Sequence, residues 1–398
     1  MLDFVGHKDD RIETMRILRN PDVSAALDGP LPSRAPLEFH TRLPGYAPTP
    51  LIDVPQLACA LNVRRVWVKD ESHRLGLPAF KILGASWAIY RALEELSGDS
   101  IGPWDTLEEL KERLARLLPL TLVAATDGNH GRAVARMARL LGIGARIFVP
   151  SNMAAARMEA IASEGAEVIV VNGTYGAAVD RSAEEADERH LVISDTSWPG
   201  YEAVPRWVIE GYSTIFWEID DELARREERG PDLVVVQIGV GAFAAAIIRH
   251  YLAPGLSPRP GILGVEPTSA ACMLASVEAG RIVSVPGPHT SIMSGLNCST
   301  PSLLAWPIVS GAIDVFVEVE DDWARRAMRL LASEGVVAGE TGAAGLGGLM
   351  GLLHGEEQRR ARQLLGINEE TRVLLFNSEG ATDPDSYTQI MALADDNC

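Results

Sequence analysis

The chain has 398 residues, 47% of them apolar and 23% charged, with a formal net charge of −18. That length accommodates one large domain or two lobes with ample core, and the acidic balance argues against a nucleic-acid backbone as partner, while small anions can still be held by local backbone dipoles. Four cysteines without a CxxC pair leave no zinc knuckle or thioredoxin-type site and suit a reducing cytoplasm.

The opening stretch MLDFVGHKDDRIE is acidic and lacks an apolar h-region, so no signal peptide is expected. Residues 1–50 are proline-rich and weakly periodic, as in an ordered extension laid against a core. From there strands and helices alternate. RRVWVKD (64–70) reads as a strand and residues 79–96 as a helix. LTLVAAT (120–126) is a strand, followed by a helix over GNHGRAVARMARLLG that ends at Gly142. ARIFVP (145–150), AEVIVV (166–171) and LVISD (191–195) are strands, separated by helices over AAARMEAIASEG and AAVDRSAEEADERH. A long helix is expected from Pro205 to Arg226. DLVVVQIG (232–239) carries an unbroken apolar run, as in a strand covered on both faces, and GILGVEP, DVFVEV and RVLLFN add further βα units. This alternation predicts an α/β fold of parallel twisted sheets flanked by helices. The longest apolar run, residues 233–248, is broken by glycine and carries Gln237, short of the ~20 apolar residues a membrane helix needs. A soluble, cytoplasmic protein with no membrane partner is expected.

Ligands of such sheets sit beyond the carboxyl ends of the strands, so the turns there are the places to look for chemistry. Gly239-Val240-Gly241-Ala242-Phe243-Ala244 follows a buried strand and opens a helix, a setting in which backbone N–H groups cradle a phosphate. With Glu266 ending the next strand, the same glycines also imitate a dinucleotide fingerprint, which would make the chain a nicotinamide oxidoreductase. TDGNHG (126–131) packs a hydroxyl, a carboxylate, an amide and an imidazole into one strand-to-helix turn; helix capping accounts for one of them, not all. Asp195, Glu340 with Thr341, and Asn377-Ser378-Glu379 mark three further polar turns, each of which a cap or a surface loop would also explain. No His, Cys or carboxylate spacing suggests a metal site.

Lys81 stands among Phe80, Ile82, Leu83 and Gly84 at the start of an apolar helix. Burial and the positive helix end both push a lysine pKa down and make the amine nucleophilic. Such amines form Schiff bases with carbonyl compounds, pyridoxal phosphate among them. A lysine for the aldehyde and a glycine turn for the phosphate leave less unexplained than the nicotinamide reading, which has no use for Lys81 or TDGNHG.

AFKILGAS, ATDGNHGRAVA, GVGAFA, IMSGLNC, ETGAAGLG and NSEGATDP occur in this order over most of the chain. Together they resemble the fold type II, tryptophan synthase β-like pyridoxal-phosphate enzymes, and with DTSWPGYEAVPRWVIEGY they most resemble the diaminopropionate ammonia-lyase family. The resemblance implies two lobes, a large domain of residues 1–85 and 206–398 with a small domain of 86–205 inserted, the cofactor in the cleft between them, and a homodimer. It implies that Lys81 carries pyridoxal 5'-phosphate, that Asn129 bonds the cofactor's 3′ oxygen, that Gly239 to Ala244 bind its phosphate, and that Ser378, or Asn377, faces the pyridine nitrogen. Thr126 would hold the carboxylate of an amino-acid substrate. Asp127 and Asp195 would each take the Cα proton of one enantiomer, so that D- and L-2,3-diaminopropionate both yield pyruvate and ammonia. Ala381 stands where the family carries an acid, and Pro78, Asn377 and Ser299 also depart from its pattern. A dehydratase or β-replacement enzyme for serine- or threonine-like amino acids, or a non-catalytic relative, is the alternative this leaves. Cys272 and Cys298 fall in or beside matching segments and are expected as free thiols.

Overall fold

The structure is a computed structural model; it describes residues 15–23, 31–98, 101–253, 258–355 and 358–393. The expectations for residues 1–14 and 24–30 of the N-terminal extension lie outside these.

Two sheets organise the chain. The larger takes β1 (Ile17–Arg19), β2 (Leu51–Asp53) and β3 (Arg65–Asp70) from the N-terminal part. The smaller is made of β4 (Thr121–Ala125), β5 (Gly144–Pro150), β6 (Glu167–Val171) and β7 (His190–Val192). The chain then returns to the larger sheet with β8 (Leu233–Gln237), β9 (Gly261–Pro267), β10 (Val315–Val319) and β11 (Arg372–Asn377). The seven-stranded order is β1-β10-β9-β8-β11-β3-β2 and the four-stranded order β6-β5-β4-β7. Every pairing is parallel except at the two edges, where β1 and β2 run antiparallel to their neighbours. This is the α/β architecture that the alternation predicts. The two edge strands have three residues each, too few for a periodic signal to reveal them.

All five residues of β8 are buried, as an unbroken apolar run requires of a strand covered on both faces. One cover is the Glu340–Leu352 helix, whose alanines and glycines let it lie close on the sheet; it is buried almost throughout. Close packing therefore explains much of GETGAAGLGG.

The helix expected from Pro205 to Arg226 is two helices, Ala203–Gly211 and Ser213–Arg225. The interruption falls where Gly211 meets the Lys81–Leu96 helix: a Cβ on Gly211 would stand 2.5 Å from the Leu83 carbonyl oxygen. The helix expected to reach His190 runs from Tyr175 to Ala183 only. A turn follows, in which Asp187 Oδ1 accepts the N–H groups of Arg189 and His190. A further helix, Leu107–Leu114, was not anticipated. Its leucines at 107, 110 and 114 give one apolar stripe on an otherwise charged segment.

The segment leading to Lys81 is fixed by a buried ion cluster. Arg74 binds both oxygens of Glu71 (2.7 and 2.8 Å) and both of Glu218 (2.7 Å each). Lys69 adds bonds to Glu218 (2.7 Å) and the Thr49 carbonyl (2.8 Å). Two cations balance two anions, so no charge is left uncompensated. Burial works against the Glu218 charge, but Arg74 and Lys69 prevail and hold its carboxyl at about 2. Its contribution to stability is therefore full above the ordinary glutamate range and lost as pH falls through about 2. Glu218→Gln should destabilise the fold by roughly 3–5 kcal/mol, because it leaves buried Lys69 and Arg74 with one anion, Glu71, between them; urea unfolding at neutral pH measures this.

Candidate active site

The carboxyl ends of β4, β7, β8 and β11 carry Thr126 and Asp127, Asp195, Gly239 to Ala244, and Ser378 and Glu379, and all of these line one cleft with Lys81. The non-atom space within the cleft is about 880 Å³, part of it open solvent. Strands of both sheets contribute to it. Asp195 lies three residues beyond Val192, the last residue of β7, rather than ending the strand as expected.

Lys81 opens its helix, and the turn before it is stitched to the chain after β11. Phe80 N–H donates to the Ser378 carbonyl (3.3 Å), Gly380 N–H donates to that of Pro78 (2.9 Å), and Ala79 forms a bridge with Glu379. Lys81 Nζ donates to Asp195 Oδ2 at 2.7 Å, with side chains 21% and 8% exposed. Burial pulls the Lys81 ammonium down, but the Asp195 carboxylate outweighs it, and the pKa is raised. This corrects the expectation of a lowered value: the sequence did not reveal the counter-ion. Asp195 is in turn held well below its ordinary value, its burial overcome by Lys81 and His130. Tyr175 OH donates to the other oxygen, Oδ1, at 3.2 Å. Asp127 differs: burial pushes its carboxyl up to about 7, against the opposing pull of Arg157.

Gly241 caps the Ala242–Tyr251 helix with φ +100, a left-handed conformation suited to glycine, and no side chain caps this end. A Cβ there would stand 2.8 Å from Met273 Cε. Ser378 Oγ accepts a bond from Gln237 Nε2 at 3.0 Å, which leaves its own hydroxyl proton for a ligand acceptor. Asn377 does not line the cleft; its amide donates to Asp70 Oδ1 (2.8 Å) and the Val337 carbonyl (3.0 Å). Thr126 Oγ1 accepts Gly128 N–H at 2.9 Å, and Asn129 donates its amide to Glu379.

Glu266 is where the nicotinamide reading fails. Its carboxylate is fully buried and accepts the N–H groups of Met273 and Leu274, both at 2.8 Å, as the cap of the Cys272–Ala279 helix. It is not offered to a ribose. Cys272 and Cys298 are free, buried thiols, and Cys298 lines the cleft. Sequence reasoning did not find Arg157, Tyr175, Gln237 or Ser294, which also line it. Ser294 falls within IMSGLNC, where it was assigned no role; the other three sit in no recognisable motif. Tyr175 and Arg157 lie within helices of the smaller sheet, and only packing turns them inward.

The chemistry of this set fits an aldehyde cofactor with an anionic tail: an amine at Lys81, an uncapped helix end at Gly241, and a neutral hydroxyl at Ser378. Residues 42–375 match the family described as pyridoxal-phosphate dependent enzyme, and the chain belongs to it. The cofactor is pyridoxal phosphate. Within that family the chain is 36% identical over 365 residues to the diaminopropionate ammonia-lyase of Escherichia coli (strain K12), which covers 89% of each. It is 34% identical over 369 residues to that of Salmonella typhimurium, covering 89% of this chain and 90% of the other. The crystal structure of the Escherichia coli diaminopropionate ammonia lyase in complex with D-serine is similar at a TM-score of 0.87 and 32% identity, covering 95% of this chain and 97% of that one. The chain is thus one of the diaminopropionate ammonia-lyase family.

Gly241→Val would force a branched side chain into a left-handed position and against Met273. We expect pyridoxal phosphate to bind at least ~10-fold more weakly, read by absorbance titration of the cofactor-free protein, with circular dichroism as the fold control.

Proposed function

We propose that this chain catalyses α,β-elimination of 2,3-diaminopropionate, of D and L configuration, with water to pyruvate and two molecules of ammonia. The observation that carries this reading is the 2.7 Å contact of Lys81 Nζ with Asp195 in a cleft that also holds Asp127 and the Gly239–Ala244 turn. One amine and two carboxylates of opposite protonation tendency meet there.

Bound pyridoxal phosphate supplies an electron sink conjugated to the substrate's α-amine. Lys81 would anchor its aldehyde, Asn129 would serve its 3′ oxygen, the backbone of Gly239, Val240, Gly241, Ala242, Phe243 and Ala244 would hold its phosphate, and Ser378 would serve the ring nitrogen. A serine hydroxyl cannot deliver a proton to that nitrogen as a carboxylic acid could, which favours prompt loss of a β-group. Thr126 and its turn hold the substrate carboxylate. Asp195, kept anionic, accepts the Cα proton on one face. Asp127, whose carboxyl burial pushes up to about 7, accepts on the other face and can return a proton to the departing β-amine. Ala381 does not line the cleft, so the acid missing there bears on substrate recognition only indirectly. The domain limits 1–85 with 206–398 and 86–205, homodimeric assembly and a cytoplasmic setting belong to the same proposal. The smaller sheet's strands, all between residues 121 and 192, support the first. Among the described residues no helix is long and apolar enough to cross a membrane.

Pyruvate release from each enantiomer tests the reading. Lys81→Ala should abolish turnover and the Schiff-base absorption near ~410 nm; a variant that keeps full activity would falsify it. The two enantiomers should also differ in pH dependence. A base works only when deprotonated, so kcat/KM for the enantiomer that depends on Asp127 should fall as pH drops through about 7. That of the other should hold to lower pH, since Asp195 keeps the Tyr175 hydroxyl as a donor when Lys81 is committed to the cofactor.

A further inference from the structure

We propose that Tyr175 is the positioning residue for Asp195, keeping that carboxylate aimed at the substrate after Lys81 ceases to be its ion partner. The proposal rests on the reading that Asp195 is the proton acceptor for one enantiomer.

Asp195 has two oxygens and, among the described residues, one side-chain donor on each: Lys81 on Oδ2 at 2.7 Å and Tyr175 on Oδ1 at 3.2 Å. The stronger contact would be weakened or lost in the cofactor-loaded enzyme. An ammonium offers three N–H donors; a lysine nitrogen joined to an aldehyde carbon keeps at most one, and a lysine displaced by substrate is free to move. The Tyr175 hydroxyl is spent on no covalent step. Its ring packs against the Val123, Ala125 and Phe148 cluster, on the face of the sheet whose β7 leads into Asp195. Tyrosine and aspartate therefore ride on one unit, and their contact does not depend on how the two sheets sit about the cofactor.

Asp127 has no such partner. No hydrogen bond reaches its carboxylate among the described residues, and the charges acting on it are Arg157, Asp195 and Lys81. Loss of the tyrosine hydroxyl should therefore injure one face of the site and spare the other, an asymmetry that a general loss of packing would not produce.

The pH profile carries the same signature. The groups acting on Asp195 are Lys81 at its helix start, His130 on the Asn129–Leu141 helix and Tyr175, with Asp127 in the turn before His130 and the neutral Tyr201, Tyr212 and Cys298 also facing it. A phenol donating to a carboxylate stabilises the anion, so its removal raises the Asp195 pKa. The acidic limb for the Asp195-dependent enantiomer moves to higher pH.

The experiment uses the cofactor-loaded enzyme and compares Tyr175→Phe with Asp195→Asn on both enantiomers of 2,3-diaminopropionate. Asp195→Asn defines the dependent enantiomer. Tyr175→Phe should lower kcat for that enantiomer about tenfold or more, raise its acidic limb, and leave the other within about threefold. A readout without turnover is deuterium exchange at Cα of D- and L-alanine, which lack a leaving group: Tyr175→Phe should slow it for one enantiomer only. Melting of the cofactor-free variant checks the fold. If Asp195→Asn is selective while Tyr175→Phe lowers both enantiomers alike or neither, the positioning role is overturned and the two-face reading survives. If Asp195→Asn is itself unselective, the two-face reading fails and this proposal falls with it.

Discussion

The contact between Lys81 and Asp195 is the constraint on which the site depends. One partner opens a helix anchored to the end of β11 in the larger sheet; the other follows β7 in the smaller sheet. Neither charge would be stable alone at this depth, since an isolated buried ion is costly. The ion pair keeps both charged and ties the two sheets across the cleft at the point where the cofactor's aldehyde must arrive. With Lys81 committed to the cofactor, Asp195 would keep the Tyr175 hydroxyl as its donor beside the substrate.

The frame behind this contact is rigid for identifiable reasons. The Glu71–Arg74–Glu218–Lys69 cluster holds the loop before Lys81 to the Ser213–Arg225 helix, and the bonds from residues 78–80 to 378–380 hold the same loop to β11. On the cofactor side, Gln237 at the end of β8 reaches across to Ser378, so two neighbouring strands set one hydroxyl.

Much of this was legible in the sequence, and the reasons are local. The βα alternation, the unbroken LVVV run and the glycine turn are properties of short segments whose conformation follows from their own residues. Lys81 could be singled out because an ammonium in an apolar helix start needs a partner. The pKa direction assigned to it was wrong because the partner lies 114 residues further along the chain. Glu266 shows the converse: its spacing from the glycine turn matched a dinucleotide site, while its carboxylate had already been committed to two backbone N–H groups. Tyr175 and Arg157 carry no motif at all.

The sequence by itself determined the fold class, the family and the turns that carry chemistry, because periodicity, turn residues and ordered motifs act over a few residues at a time. The tertiary structure decided which carboxylate is pushed down and which up, that Glu266 is a cap, and that a tyrosine shares Asp195 with Lys81. Those depend on burial and on charges brought together across two sheets, and distance in space is not a quantity that spacing along a chain contains.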